Sequence, residues 1–316
     1  HKEGKRQQKN VVEKGRNQNR RFLADIQNLV TSIRNKVNCG STKRVKEPII
    51  DIDAAEVNDE LAVGEYVEEL YKFYKLAEYE CRLYDYMGTQ PEINKNMRAI
   101  VVDWLIDVHD EFQLTPEILY LTIQILDRYL SRKMVPQNKL QLVGITAMLI
   151  ACKYEGAPEV NDFVNNTDLA YSHQQVLVME KSILDTLEWH LTVPTAYVFL
   201  ARFIKAAIPD EQLENLVYFF AELGMINYET SIICCPSEFA ASAVYAARCT
   251  LAKTPVWSKT LMLHTGFCEF QFKHCAKLLL SYHRAAAQGK LMAIYRKYSS
   301  SQRCCVSLLP PAESLV

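Results

Sequence analysis

Ten cysteines, seven histidines and the carboxylate pairs Glu68-Glu69 and Asp107/Asp110 are the side chains here best suited to nucleophilic, metal or acid–base chemistry. Their spacing argues against all three. The cysteines stand at 39, 81, 152, 234, 235, 249, 268, 275, 304 and 305. None forms CxxC, and no His/Cys cluster has zinc-ligand spacing. Cys152, Cys249 and Cys275 fall among Ala, Leu and Val, the setting of buried reduced thiols in a cytosolic or nuclear protein. The histidines are scattered. There is no HExxH, GxSxG, GxGxxG or GxxxxGK. The carboxylate pairs belong to polar helix faces. These patterns predict no catalytic centre, no metal and no cofactor.

Recognition chemistry is better represented. Met97, Ile100, Val101, Trp104, Leu105, Val108 and Phe112 recur at helical spacing, with Arg98, Asp103, Asp107 and Asp110 between them. A face so rich in large apolar groups suits a core helix or a surface that holds a partner.

The elements around it read as helices. Asn94 or Asn96 can cap the Met97 helix, and Thr115-Pro116-Glu117 starts Ile118–Leu130. Leu140–Tyr154, a short helix after Pro158, and His173–Trp189 follow, with no strand-like alternation. Upstream, Ala62 to Tyr84 reads as an amphipathic helix. The pattern then recurs after about 95 residues: Met97–Phe112 maps onto Thr192–Ala207, Pro116–Leu130 onto Glu211–Met225, Gly144–Tyr154 onto Phe239–Cys249, and Gln174–Trp189 onto Phe270–Arg284. A duplicated all-α domain of about five helices is implied, its small-residue third helix at each centre.

The 316 residues suffice for two such cores, and the net charge of −1 hides a split. Residues 1–49 carry 13 Lys+Arg against 4 Asp+Glu. No apolar run reaches the ~18 residues of a membrane span, and there is no signal-peptide core. The first residue is His1 rather than Met, as expected of a fragment or a processed product. The expected divisions are a disordered basic tail (1–57), an N-terminal helix and linker (58–92), two helical repeats (93–191 and 192–298) and a loosely held polar tail (299–316).

MRAIVVDWLIDVH, LYLTIQILDRYL, KLQLVGITAMLIACKYE and MEKSILDTLEW resemble the cyclin box in order and spacing. TPVWSKTLMLHTGF resembles the C-terminal cyclin fold. NRRFLADIQN, DIDAAEVNDELAVGEYVEELYKFYK, RKYSSSQR and LLPPAESL are similar to mitotic B-type cyclins of plants. The resemblance covers nearly the whole chain. It implies two tandem five-helix cyclin folds that bind and activate a mitotic cyclin-dependent kinase, control G2/M progression, and reside in nucleus and cytoplasm.

The resemblance also implies roles. Lys153 and Glu180 would grip the kinase's mobile helix, flanked by Tyr154, Glu155 and Leu184; the competing reading of the pair is a surface salt bridge. Tyr66, Leu70 and Phe73 match further kinase-touching positions. Arg98 and Asp127 match an internal pair, as a charge in so apolar a helix requires. Met97, Ile100, Val101 and Trp104, rimmed by Asp107, Gln137 and Gln141, match the patch that docks Arg-x-Leu peptides of substrates and inhibitors. Gln137 stands where several relatives carry Arg. Arg20, Leu23, Ile26 and Asn28 match the destruction box RxxLxxIxN, recruiting a ubiquitin ligase of the anaphase-promoting type. Arg248-Cys249-Thr250-Leu251 fits only its shorter form and lies in a packed helix.

One departure stands beside the gripping lysine. After Glu155 the chain reads Gly156-Ala157-Pro158-Glu159-Val160, about two residues shorter than the family pattern. Weakened kinase activation, as in a degenerate cyclin, is therefore the alternative reading. A cyclin-fold transcription factor is another, but it needs basic stripes on the repeats, whereas the basic excess lies in the tail. No membrane and no specific nucleic acid are expected as partners.

Overall fold

The structure, a computed structural model, describes residues 48–54, 66–80, 82–156 and 171–313. Among these all regular structure is helical. The first repeat contains α2 (Lys95–Glu111), α3 (Pro116–Leu130), α4 (Leu140–Tyr154) and α5 (His173–Thr186), preceded by α1 (Val67–Glu80). The second contains α6 (Ala196–Ala206), α7 (Glu211–Ile226), α8 (Tyr228–Ile233), α9 (Pro236–Thr250), α10 (Lys259–Thr265) and α11 (Glu269–Ala286), followed by α12 (Ala293–Lys297). The short α8 had no counterpart in the sequence pattern. The short helix expected after Pro158 and the basic tail lie outside the described residues.

Local chemistry sets the helix starts. Asn94 accepts from the Met97 N–H at 3.0 Å, Ser172 and Gln175 form a reciprocal capping box, and Asp210 accepts from the Leu213 N–H at 2.8 Å. Pro116 and Pro236 occupy first turns, where the missing N–H costs nothing.

α4 and α9 are the two central helices. Leu142 through Cys152 and Phe239 through Arg248 are buried without interruption, as expected of a helix packed on every side. α4 contacts α2, α3 and α5, while α9 contacts α6, α7 and α11. Small residues permit these approaches. A Cβ on Gly144 would stand 2.9 Å from Val101 Cγ1, and one on Gly224 2.5 Å from the Phe239 ring.

α1 docks on the second repeat. Tyr71 donates to the Val198 carbonyl at 2.8 Å, and Tyr71 and Tyr74 flank Phe199. The buried Glu78 carboxylate accepts from Ser237 N–H and Oγ at 2.8 and 2.7 Å, capping the first turn of α9. Before α1, Asp53 is gripped by Arg202 and Lys205, and these bonds, the Arg202 one foremost, hold its carboxyl down at about 2.

The described part of the polar tail, 299–313, is anchored rather than loose, as is Tyr298 just before it. Tyr298, Val306 and Ser307 are buried, and Ser307 Oγ donates to the Tyr295 carbonyl at 2.9 Å. Two anchors spaced through a Ser-rich run carry no periodicity, so the pattern hid the packing.

His283 on α11 is buried between the rings of Phe219 and Phe220, with centroids at 5.1 and 5.2 Å. Burial pushes it down to about 4, and neither ring nitrogen has a hydrogen-bond partner among the described residues. The unfolded chain takes up this proton near 6.5 and the folded one only near 4. Stability is therefore complete above about pH 6.5 and falls as pH drops through that window, by at most about 3 kcal/mol at this site. Urea unfolding at pH 7, 6 and 5 checks this: His283→Leu flattens the decline, leaving the slope from His109 and His264, whose burial also lowers them.

Candidate functional site

Two surfaces and one buried junction collect the residues singled out in the sequence. The first surface lies where α4 ends beside α5. Lys153 Nζ is 2.6 Å from Glu180 Oε1, with side-chain exposures of 48% and 14%. Glu180 is thus a largely enclosed acceptor carrying an accessible ammonium. Tyr154 and Glu155 are exposed at the same helix end, and burial raises the Glu155 carboxyl, with Glu117 adding to the effect. Gly156 follows at φ +71°, in the left-handed region, and ends the helix there.

Leu184, one turn beyond Glu180 on α5, is buried at 9% exposure along with the stripe Val176, Met179 and Ile183, so it offers little area to a partner. Leu177 and Val178, at 40% and 61% exposure, are the apolar groups that α5 offers instead. Their place off that stripe was a usable signal. Tyr66, Leu70 and Phe73 are exposed on the solvent side of the α1 region, away from its contacts with the second repeat.

The second surface is on α2. Ile100 is 58% exposed, Met97 and Trp104 are half-buried, and Gln137 and Gln141 are exposed nearby in sequence at the α4 entry. Val101 is not part of this surface. It is buried against Gly144, whose missing side chain lets α4 cover it. Nor is Asp107 an unoccupied rim carboxylate: Arg296 Nη2 approaches its two oxygens at 2.9 and 2.7 Å.

The junction is built on Arg98, which is fully buried. Its Nε and Nη2 donate to the two oxygens of Asp127 at 2.6 Å each, a forked pair. Nη1 donates to the carbonyls of Met225 and Ile226, both at 3.0 Å, and Nη2 also reaches Ser231 Oγ at 3.2 Å. Every N–H of the guanidinium thus has an acceptor. Asp127 accepts in addition from Tyr86 Oη at 2.7 Å. Tyr228 Oη receives the Tyr86 and Met87 N–H groups and donates to Asp85. The pairing of Arg98 with Asp127 was legible from residue types. The carbonyls at the end of α7, which make it a tie between repeats, were not.

Burial pushes the Cys152 and Cys235 thiols up to about 11, away from thiolate chemistry. Among the described residues no group of three or more His, Cys, Asp or Glu is placed to hold a metal, and no helix is long and apolar enough to cross a membrane. Arg248 is buried and donates to the carbonyls of Ala207, Pro255 and Val256, which ties up the shorter RxxL match. Arg20, Leu23, Ile26 and Asn28 lie outside the described residues.

Residues 69–192 match the family model for the cyclin N-terminal domain, and residues 194–312 that for the cyclin C-terminal domain. The chain is 57% identical over 289 residues to a G2/mitotic-specific cyclin, S13-6, of Glycine max, covering 91% of this chain and 63% of that one. It is 59% identical over 284 residues to G2/mitotic-specific cyclin-1 of Antirrhinum majus, covering 89% and 60%. It therefore spans about three-fifths of the length of these curated relatives. The crystal structure of a viral cyclin from herpesvirus saimiri superposes with a TM-score of 0.62 at 20% identity, covering 71% of this chain and 98% of that one. At that identity the likeness concerns the fold.

Proposed function

The chain belongs to the cyclin family, on its mitotic B-type branch, and from that premise we propose that it is the regulatory subunit of a mitotic cyclin-dependent kinase. It has no chemistry of its own to perform. It supplies contacts that favour the kinase's active arrangement, which suffices to shift that equilibrium. The observation that carries this reading is the Lys153–Glu180 pair at 2.6 Å, with an accessible ammonium and the exposed Tyr154 next to it in the chain. The ammonium can satisfy carbonyls at the end of the kinase's mobile helix, and Glu180 can accept from backbone N–H groups. Tyr66, Leu70 and Phe73 offer further exposed apolar area in the α1 region.

The test is reconstitution with a mitotic cyclin-dependent kinase, measuring substrate phosphorylation with and without the chain. Stimulation by the parent chain is expected. Lys153→Ala and Glu180→Ala each weaken kinase affinity by roughly 2 kcal/mol or more, about thirtyfold. Glu180→Gln, which keeps an acceptor at the largely enclosed position, separates lost kinase contact from lost stability: its melting temperature stays near the parent's while affinity falls. Absence of stimulation by the parent chain overturns the reading.

A second reading, a cyclin with weakened activation, is favoured by Gly156 turning left-handed immediately beyond the gripping lysine. Restoring two residues after Glu155 then raises kinase affinity; an unchanged affinity removes this alternative. The Arg20–Asn28 segment is proposed as the signal for a ubiquitin ligase of the anaphase-promoting type, acting on a protein shared between nucleus and cytoplasm. The patch at Met97, Ile100 and Trp104 is proposed to dock Arg-x-Leu peptides, with apolar ground for the Leu and Asp107 for the Arg.

A further inference from the structure

α12 lies along α2 and is held there by two of that helix's carboxylates. Asp103 accepts from the Ala293 N–H at 3.1 Å, and Asp107 takes Arg296 Nη2 on its two oxygens. The carboxylate expected to receive an arginine from a peptide is thus already answered by an arginine of the same chain. We propose that Arg296 is a specificity-determining residue of the docking patch, competing with the arginine of an incoming peptide for Asp107. This rests on the docking reading above.

The competitor is exchangeable yet permanently present. Side-chain exposures of 62% and 47% make the pair a wet one, with little free energy to lose on opening. Its backbone, however, cannot drift away. The adjoining Lys297 is buried on Glu222 at 2.8 and 3.0 Å, and Ala293 is held by Asp103, so the guanidinium stays at high effective concentration beside Asp107. A second guanidinium on Asp107 meets the charge of the first, so a peptide arginine must either share the carboxylate at a reduced gain or displace Arg296. The displaced side chain has somewhere polar to go. The pair itself lines a cleft of about 480 Å³, where Asp110, Gln113, Ser300 and Gln302 offer acceptors beside the cationic Lys297 and Arg303.

The consequence is a change in what the patch reads. A peptide gains less from its arginine here than from an unoccupied carboxylate, so the apolar contact with Ile100 and Trp104 carries a larger share of affinity and choice.

Fluorescence anisotropy with two labelled peptides, one carrying Arg-x-Leu and the other Ala-x-Leu, tests this on the full chain. Arg296→Ala and Arg296→Gln bind the arginine peptide roughly two- to fivefold tighter than the parent. They leave the alanine peptide unchanged, and the gain shrinks at high salt. An exposed side chain is being truncated, so melting temperatures stay near the parent's. Equal affinity of parent and both variants for the arginine peptide, with binding still lost in Trp104→Ala, overturns the inference and leaves docking standing. Binding that ignores Trp104→Ala, or no binding to any chain, removes the docking reading and this inference with it.

Discussion

Arg98→Ala lowers the unfolding free energy by about 3–5 kcal/mol, read as a large drop in the urea midpoint. The loss has identifiable parts. Asp127 is left buried with its charge answered only by Tyr86 Oη at 2.7 Å. The carbonyls of Met225 and Ile226, at the negative end of α7, lose their donor as well. Arg98→Lys recovers little, because a point charge cannot fork onto both Asp127 oxygens and also reach two carbonyls. The informative variant is Arg98→Met with Asp127→Leu. An isolated buried ion pair can be replaced by apolar residues of similar volume at little cost. Here the α7 carbonyls and the Tyr86 hydroxyl remain, so the double variant stays well below the parent. A double variant as stable as the parent sinks the claim that Arg98 ties the two repeats together.

That junction shows how far residue types and periodicity carry. Arg98 in an apolar helix demanded an acid, and the LDRYL segment contained one; both partners have chemical identities that a reader of the sequence can match. The other half of the tie uses backbone carbonyls, which every residue has, so nothing marks Met225 and Ile226 in advance. The duplicated helices were legible for the same reason as Asp127: small-residue central helices and proline or Asn starts are local signals. Which edge of an apolar stripe is covered was not local. Val101 and Ile100 are neighbours on α2, yet the first is buried and the second open, because Gly144 faces Val101 from α4. Leu184 followed the same logic. Arg296 reaches Asp107 from 189 positions away, through a segment whose anchors Tyr298 and Val306 are too sparse to show a period.

Those anchors lead to the second large effect. Lys297→Met destabilises the chain by about 3–5 kcal/mol, comparable to the loss at Arg98. The Lys297 and Glu222 side chains are only 5% and 4% exposed, and the ammonium lies 2.8 and 3.0 Å from the two carboxylate oxygens. Tyr298 Oη donates to the same carboxylate at 2.7 Å, and burial, with Glu222 adding, raises that phenol well above its ordinary value. Removing the lysine leaves a buried carboxylate with one neutral donor. Glu222→Leu added to Lys297→Met removes the orphaned charge and regains part of the loss, while the Tyr298 hydroxyl still lacks its acceptor. Hydrogen exchange locates the effect: amides of Ala293–Lys297 lose protection first, since α12 depends on this pair as well as on Asp103. The adjacent arginine supplies the contrast. Arg296→Ala, at 62% exposure, leaves stability nearly unchanged, although it faces an acid at a similar distance. Burial, not pairing, decides which of these two neighbouring cations holds the fold. Equal destabilisation by the two substitutions would contradict that assignment.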